Sequence, residues 1–167
     1  MERRCEWCGK PLKVKATGRP KRFCWDRCRK AASRAMFPAF MTSRKSWVRC
    51  DGKRPITPGG CPASSTRPDT WSTYADVQRG AGDGFGIMLG GGLACFDLDH
   101  VTDEQARSFI ESVSLPVVFV ERSVSGNGVH LFVEAGEQAG SRRVIDGVSV
   151  EFYSRQRFIR VTGRRFT

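Results

Sequence analysis

The sequence predicts an α+β fold with a largely antiparallel sheet, and two patterns support this prediction. From Phe85 onward, short apolar runs alternate with glycine-containing segments, which is typical of strands joined by tight turns. Within this part of the chain, residues 103–113 instead carry apolar side chains at helical spacing. The first third of the chain lacks such runs and is rich in Cys, Lys and Arg. We therefore expect a small separate module ahead of the sheet.

Six strands and one helix are predicted along the C-terminal part of the chain. The helix over 103–113 begins at a capping box made by Thr102 and Gln105, and Pro116 prevents its continuation. Its apolar side chains would pack on one face of the sheet; they are Ala106, Phe109, Ile110 and Val113. The predicted strands cover residues 85–90, 93–98, 117–121, 129–134, 147–153 and 157–162.

Composition divides the chain into a basic, Cys-rich module (residues 1–35), a linker (36–46) and the sheet domain (47–167). Residues 51–70 hold four prolines and three glycines, so we expect loops and turns there. No apolar run reaches 18 residues, so no membrane span is expected. The N-terminus lacks the apolar run of a secretory signal, and we expect a cytoplasmic protein.

Positive charge is concentrated at one end of the chain. The 167 residues carry a formal net charge of +11. Residues 1–55 hold 17 Lys and Arg against 4 Asp and Glu, whereas residues 56–167 hold 11 against 13. A local excess of this size attracts polyanions, which favours nucleic acid as a partner. The alternative is a basic segment that only raises solubility.

The four cysteines nearest the N-terminus have the spacing of a metal site. Two residues separate Cys5 from Cys8, and three separate Cys24 from Cys28 at the start of a helical stretch. Two such thiolate pairs can complete a tetrahedral site for zinc, which stabilises a segment too small to bury its own core. Reactive or free thiols are the alternative.

Basic and aromatic residues surround these cysteines. Cations can neutralise phosphates, and exposed rings such as Trp7 or Trp25 can stack on bases. Phe23 is expected to pack around the metal instead. The predicted nucleic-acid-binding residues are Lys13, Lys15, Arg19, Lys21, Arg22, Arg27, Arg29 and Lys30.

Asp97 lies on the strand predicted at 93–98 and Asp99 directly follows it, and alternate side chains along a strand face the same side. Phe96 and Leu98 would then face the core. Two carboxylates at this spacing can hold one or two divalent cations through hard oxygen ligands. Such a pair also occurs where an ordinary strand enters a turn, and the pair alone leaves that alternative open.

Two further polar residues enter apolar strands. Residues 125–130 (Ser-Gly-Asn-Gly-Val-His) bring His130 to the start of a strand through glycines, which permit close approach of the backbone to a ligand. Glu151 is a single carboxylate in an apolar strand, which is costly unless it is paired or bound to metal. The alternatives are a hydrogen-bonded core histidine and an ion pair of Glu151 with Arg157 or Arg160.

The order of these motifs resembles the archaeo-eukaryotic primase superfamily, in its phage and plasmid primase-polymerase branch (bifunctional DNA primase/polymerase, N-terminal). That branch carries an Asp-x-Asp pair, a Ser/Gly-x-His segment and a later strand with one acid on an RRM-like palm. Here these motifs match Asp97 with Asp99, residues 125–130, and Glu151. The flanking segments agree, so the resemblance covers about residues 47–163. The cysteine module is similar to a treble-clef zinc finger.

The resemblance implies a template-dependent nucleotidyltransferase, a DNA primase-polymerase of phage or plasmid replication in the cytoplasm of a bacterial host cell. Asp97, Asp99 and Glu151 would bind catalytic Mg²⁺ or Mn²⁺ in a two-metal mechanism, and His130 would hold the nucleotide phosphates. The implied partners are single-stranded DNA template and NTP or dNTP substrates, with a replicative helicase as a further candidate. Other residues expected at the phosphates are Ser125, Gly126, Gly128, Arg157 and Arg160.

Two other functions fit the same residues. A non-catalytic DNA-binding replication or regulatory protein would keep the palm as a scaffold, and its DNA affinity would not require divalent metal. A metal-dependent nuclease would use the same acids to release nucleotides. The retention of three acids and a histidine favours the nucleotidyltransferase, because a binding protein has no use for such costly groups.

Overall fold

The computed structural model describes residues 4–5, 7–8, 10–12 and 21–167. The chain forms two compact units, Met1–Ser43 and Arg44–Thr167. The described part of the first unit contains helices α1 (Asp26–Arg34) and α2 (Ala39–Thr42). Phe23 packs against the cysteine-rich core of this unit, which confirms its predicted place. No helix among the described residues is both long and apolar enough to cross a bilayer.

The second unit, residues 44–167, is described throughout and is built mainly from strands. A 3₁₀ turn covers Pro68–Thr70. The helices are α3 (Tyr74–Val77) and α4 (Asp103–Ser112). The strands are β1 (Trp47–Asp51), β2 (Arg54–Ile56), β3 (Gly84–Met88), β4 (Leu93–Asp99), β5 (Val117–Arg122), β6 (Val129–Glu134), β7 (Ser141–Ile145), β8 (Val148–Tyr153) and β9 (Phe158–Val161).

These strands form two antiparallel sheets. Five strands pair in the order β5-β6-β4-β8-β7, and four pair in the order β2-β1-β3-β9. The α+β fold class with antiparallel pairing is confirmed, but the expectation of one sheet is wrong. The strands predicted at 85–90 and 157–162 are β3 and β9, which pair with each other in the four-stranded sheet. A Cβ at Gly86 would lie 2.1 Å from a ring carbon of Phe158, so any other residue there would displace this ring.

Three strands and helix α3 are absent from the predicted set. The prediction of loops and turns alone for residues 51–70 is wrong at β2, which pairs with β1. β2 has three residues and contains Pro55, so it has too little alternation to be recognised. All five residues of β7 are exposed. A strand with both faces in solvent shows no alternation of apolar and polar residues by which it could be recognised.

Helix α4 covers one face of the five-stranded sheet. Its capping box is present as predicted, with Gln105 N–H donating to Thr102 Oγ1 at 3.2 Å and Thr102 N–H donating to Gln105 Oε1 at 3.0 Å. Alternate residues of β4, β6 and β8 face this helix, while the intervening residues face the opposite side. The helix-facing core contains Ala94, Leu98, Val129, Leu131, Val133, Val150 and Phe152, packed with Phe109 and Ile110.

We expect Leu131→Ala to lower the free energy of unfolding by about 2–5 kcal/mol, because it empties space in this fully buried core. Urea unfolding followed by circular dichroism measures the change. Val144→Ala is the matched control: its side chain is exposed on the edge strand β7, and we expect a change within about 0.5 kcal/mol. Equal losses in the two variants would contradict the assignment of this core.

Candidate functional site

One row of polar residues crosses all five strands of the larger sheet. Asp97 on β4 is the register partner of His130 on β6 and of Glu151 on β8. The row continues outward to Glu121 on β5 and Arg142 on β7. Partners on neighbouring antiparallel strands project from the same face. The structure therefore brings together three residues predicted from separate motifs, on the face opposite α4.

Asp97 occupies the centre of this row and has an unsatisfied oxygen. Its Oδ1 is buried without a hydrogen-bond partner among the described residues. The nearest His130 nitrogen, Nε2, lies 3.6 Å away, too far for a good hydrogen bond. Burial, together with repulsion from Asp99 and Glu151, raises the pKa of Asp97. A divalent cation would satisfy this oxygen and offset the repulsion, so the acids fit such an ion.

Asp99 ends β4 on the same face as Asp97 and is exposed. Its register partner on β8 is Ser149, whose Oγ is also buried without a hydrogen-bond partner among the described residues. Two unsatisfied oxygens thus line one side of the acidic cluster. Sequence reasoning missed Ser149, because a serine in an apolar strand carries no charge to mark it. Its only signal was its place two residues before Glu151.

Glu151 is held by hydrogen bonding more than by ion pairing. The Tyr153 hydroxyl donates to Glu151 Oε2 at 2.8 Å. Arg142 Nε lies 3.5 Å from Oε1, and the guanidinium of Arg157 lies 3.9 Å from Oε2. Both separations exceed the usual hydrogen-bond length. The carboxylate is therefore oriented by Tyr153 and only loosely neutralised by two arginines, one of which, Arg142, was missed with its strand.

The two arginines expected at the phosphates lie in different surroundings. Arg157 stacks over the Tyr153 ring at 4.3 Å, beside Glu151. Arg160 projects from β9 in the four-stranded sheet, where it lies 3.4 Å from Asp83 and donates to the carbonyl of Gly52. The structure therefore brings Arg157 to the acidic cluster, whereas the partners of Arg160 belong to the other sheet and its loops.

His130 is buried and pairs with Glu121, a residue that sequence reasoning missed. His130 Nδ1 lies 3.0 Å from Glu121 Oε1. Burial alone would lower the pKa of His130, but the hydrogen bond to Glu121 and the charge of Asp97 outweigh burial and raise it. The signal that marks Glu151, a single acid in an apolar strand, is present at Glu121 as well.

The turn that leads to His130 uses its amides internally. The N–H of Gly126 donates to Ser123 O, and the N–H of Gly128 donates to Ser123 Oγ, both at 3.1 Å. Gly126 has φ +84, and a Cβ at Gly128 would lie 2.7 Å from the carbonyl oxygen of Leu98, so both positions suit glycine. The glycines therefore shape the turn in this conformation. Ser125 is exposed, and its hydroxyl lies 3.1 Å from Ser123 Oγ and accepts from the N–H of Asn127 at 3.3 Å.

In the first unit, four thiols form a compact group. Cys8 Sγ lies 3.4 Å from Cys24 Sγ, which lies 3.5 Å from Cys28 Sγ. A tetrahedron with Zn–S bonds of about 2.3 Å has edges of about 3.8 Å, so these separations suit one ion. Burial would raise the pKa of the Cys5 thiol, but backbone hydrogen bonds lower it to about 6. All the Sγ atoms of the group, which could hold a metal ion, lie within 4.8 Å of one another: Cys5, Cys8, Cys24 and Cys28.

The predicted nucleic-acid-binding residues fall into two groups. Those in the described part of the chain are exposed: Lys21, Arg22, Arg27, Arg29 and Lys30. Lys13, Lys15 and Arg19 lie outside the described residues. Arg29 and Lys30 share Asp26, at 2.6 and 3.3 Å. Trp25, at 68% exposure, offers an open ring next to this basic surface.

The family model for bifunctional DNA primase/polymerase, N-terminal (Prim-Pol), matches residues 29–163. The chain belongs to the Prim-Pol family. This confirms the resemblance predicted from the three motifs. The matched segment contains all the residues of the polar row, which are Glu121, His130, Asp97, Glu151 and Arg142. It begins just after Cys28, so the four-cysteine group lies outside it. A search of the curated proteins gave no match.

We expect Asp97→Asn to stabilise the metal-free protein. The pKa of Asp97 is higher in the folded protein than in the unfolded chain. The free energy of unfolding therefore falls as the pH rises from the unfolded-state pKa through the folded-state pKa, and the ionised carboxylate destabilises the fold at neutral pH. Thermal unfolding at pH 7 should show a higher midpoint for the variant, with a gain of about 1 kcal/mol. Added Mg²⁺ or Mn²⁺ should then stabilise the wild type and leave Asp97→Asn unchanged.

The matched control for this prediction is Asp146→Asn. Asp146 is an exposed turn residue with φ 49, a conformation that asparagine also tolerates. It should change neither the midpoint nor the response to metal. A lower midpoint for Asp97→Asn without metal would show that the carboxylate is satisfied inside the protein.

We expect the purified chain to contain one zinc ion, measured by elemental analysis against protein concentration. Cys24→Ser should reduce the zinc content to well below half, because a three-thiolate site loses affinity and its segment loses folding energy. Cys61→Ser is the control, since Cys61 is exposed and lies outside the group. Full zinc content in Cys24→Ser would remove this residue from the ligand set.

Proposed function

We propose that this Prim-Pol chain is a template-dependent nucleotidyltransferase that synthesises primers on single-stranded DNA from NTPs or dNTPs. The observation that carries the proposal is the in-register row of His130, Asp97 and Glu151, with a buried Asp97 oxygen left unsatisfied. Such a row suits an enzyme, since a protein that only binds DNA gains nothing from a repulsive acidic cluster.

Asp97, Asp99 and Glu151 are the proposed ligands of Mg²⁺ or Mn²⁺, because all three offer hard oxygen atoms on one face. When bound, such ions would align a 3′-hydroxyl with the α-phosphate of the incoming nucleotide and stabilise the leaving pyrophosphate. Tyr153 prepares this set by orienting Glu151 through its hydroxyl.

The remaining residues of the site are proposed to hold the triphosphate. His130 presents Nε2 towards the acids, and Ser125 contributes its hydroxyl. Arg142 and Arg157 are 72% and 48% exposed beside Glu151, so their guanidinium groups can turn to a phosphate when the carboxylate engages metal. Arg160 is already paired with Asp83, which makes it a weaker candidate for this role.

The first unit is proposed to bind the template. Its thiols would hold a structural zinc ion, and its exposed cations would neutralise DNA phosphates while Trp25 stacks on a base. We place this activity in the cytoplasmic replication of a phage or plasmid, where a replicative helicase would act with the primase.

We expect the wild type to incorporate labelled nucleotides into short products on unprimed single-stranded DNA with Mg²⁺ or Mn²⁺. Asp97→Asn with Asp99→Asn should reduce synthesis by more than about 100-fold, since even residues that only orient metal ligands are worth 10–100-fold. The double variant should still bind DNA, because the basic unit is unchanged. Asp146→Asn should synthesise at the wild-type rate.

Two results would replace this proposal. Metal-independent DNA binding without synthesis, on primed or unprimed template, would indicate a binding protein on a primase scaffold. Release of nucleotides from the DNA, lost in the double variant, would indicate a nuclease that uses the same acids.

A further inference from the structure

Glu121 is a fully buried carboxylate that belongs to none of the three motifs. Its side chain is 0% exposed, on β5 at the end of the polar row. A buried carboxylate is tolerated only when its oxygens are well hydrogen-bonded. The identity of its partners therefore shows what this residue contributes.

Both oxygens of Glu121 are hydrogen-bonded, and they share the N–H of Thr162. Oε1 lies 3.0 Å from His130 Nδ1 and 3.2 Å from the backbone nitrogen of Thr162. Oε2 accepts from the backbone N–H of Gly163 at 2.8 Å and of Thr162 at 3.1 Å. Only Oε1 faces the imidazole, while Oε2 faces two fixed backbone donors and, at 3.4 Å, the Thr162 hydroxyl, which also donates to Arg122 O at 2.7 Å.

Those backbone donors are anchored along β5. Arg122 N–H donates to Arg164 O at 2.9 Å, and Phe166 N–H donates to Val120 O at 3.1 Å. The Phe166 ring packs under the Arg122 guanidinium at 4.9 Å. Residues 162–166 therefore hold Glu121 in place, and Glu121 in turn holds His130 through its contact with Nδ1.

The contact determines which nitrogen of His130 faces the site. Because a carboxylate only accepts, Nδ1 must carry a hydrogen, and the ring then directs Nε2 towards Asp97, 3.6 Å away. Carboxylates that bind the far nitrogen of a functional histidine commonly fix its tautomer and orientation in this way.

We propose that Glu121 is a positioning residue that holds His130 with Nδ1 protonated and Nε2 directed at the substrate side, using the backbone of Thr162 and Gly163 as its anchor. The consequence for catalysis rests on the proposed function, in which His130 holds the nucleotide phosphates. The orientation of the His130 ring does not depend on the proposed function, so an experiment can reject either one without rejecting the other.

Glu121→Gln tests the proposal because a carboxamide cannot satisfy both sides of the residue. Its oxygen must face the N–H groups of Thr162 and Gly163, since an NH₂ group there would oppose two donors. Its NH₂ group then faces His130 Nδ1, which must become an acceptor. The variant should therefore remove the proton from Nδ1 and leave the imidazole protonated at Nε2 alone.

Nitrogen-15 NMR of the full-length chain reads this change directly. The chain has two histidines, and the exposed His100 serves as an internal reference. We expect a protonated Nδ1 in the wild type and an unprotonated Nδ1 in Glu121→Gln, with Glu111→Gln, an exposed substitution on α4, matching the wild type. An unprotonated Nδ1 in the wild type overturns the proposal without any variant, and so does an unchanged His130 signal in Glu121→Gln.

Nucleotide binding separates a positioning role from a purely structural one. With labelled ATP and dATP in the presence of Mg²⁺, Glu121→Gln should weaken affinity by about 10–100-fold. In a His130→Asn background the same substitution should have little further effect, because Glu121 acts through the imidazole. A loss of equal size in both backgrounds would show that Glu121 only supports the fold. Absence of primer synthesis by the wild type would reject the proposed function and leave the NMR result standing.

Discussion

Pairing of β4 with a neighbour on each side is the constraint on which the candidate site depends. Asp97 lies at a level where β6 supplies His130 and β8 supplies Glu151, so the strand register alone brings the three groups together. A register slip of one residue in β8 would exchange Glu151 for a core residue and direct an acid at α4. The apolar side chains under the helix therefore maintain the spacing of the polar face by fixing the register.

Hydrogen bonding along the polar row is strongest at Glu121 and weakest at Asp97. At one edge, Glu121 is fully hydrogen-bonded, and at the other, Arg142 is largely in solvent. Glu151 has one good hydrogen bond, while Asp97 Oδ1 has none among the described residues. The central acid of the proposed metal site is thus the least satisfied, and Glu121, which holds His130, is the most satisfied, as a preorganised site requires.

Local sequence patterns predict much of this arrangement. Alternation of apolar and polar residues indicates which face each strand buries. A single acid in an apolar strand marks Glu151, and it marks Glu121 more weakly, because Glu121 stands near the strand end beside Arg122. Sequence reasoning used the signal once, because no motif directed attention to Glu121. The division into two sheets and the loose pairing of Arg142 with Glu151 depend on long-range register, which local periodicity does not encode. β7 has no buried face, so no pattern could reveal it.

The division of charge between the two units has a consequence for behaviour in salt. Unit Met1–Ser43 contains 12 Lys and Arg against 3 Asp and Glu, while unit Arg44–Thr167 contains 16 against 14. Mobile ions screen the long-range attraction of the first unit for a polyanion, but they hardly reach contacts inside a half-buried acidic cluster. Higher ionic strength would therefore weaken the proposed binding of the first unit to DNA far more than it changes the interactions inside the acidic cluster.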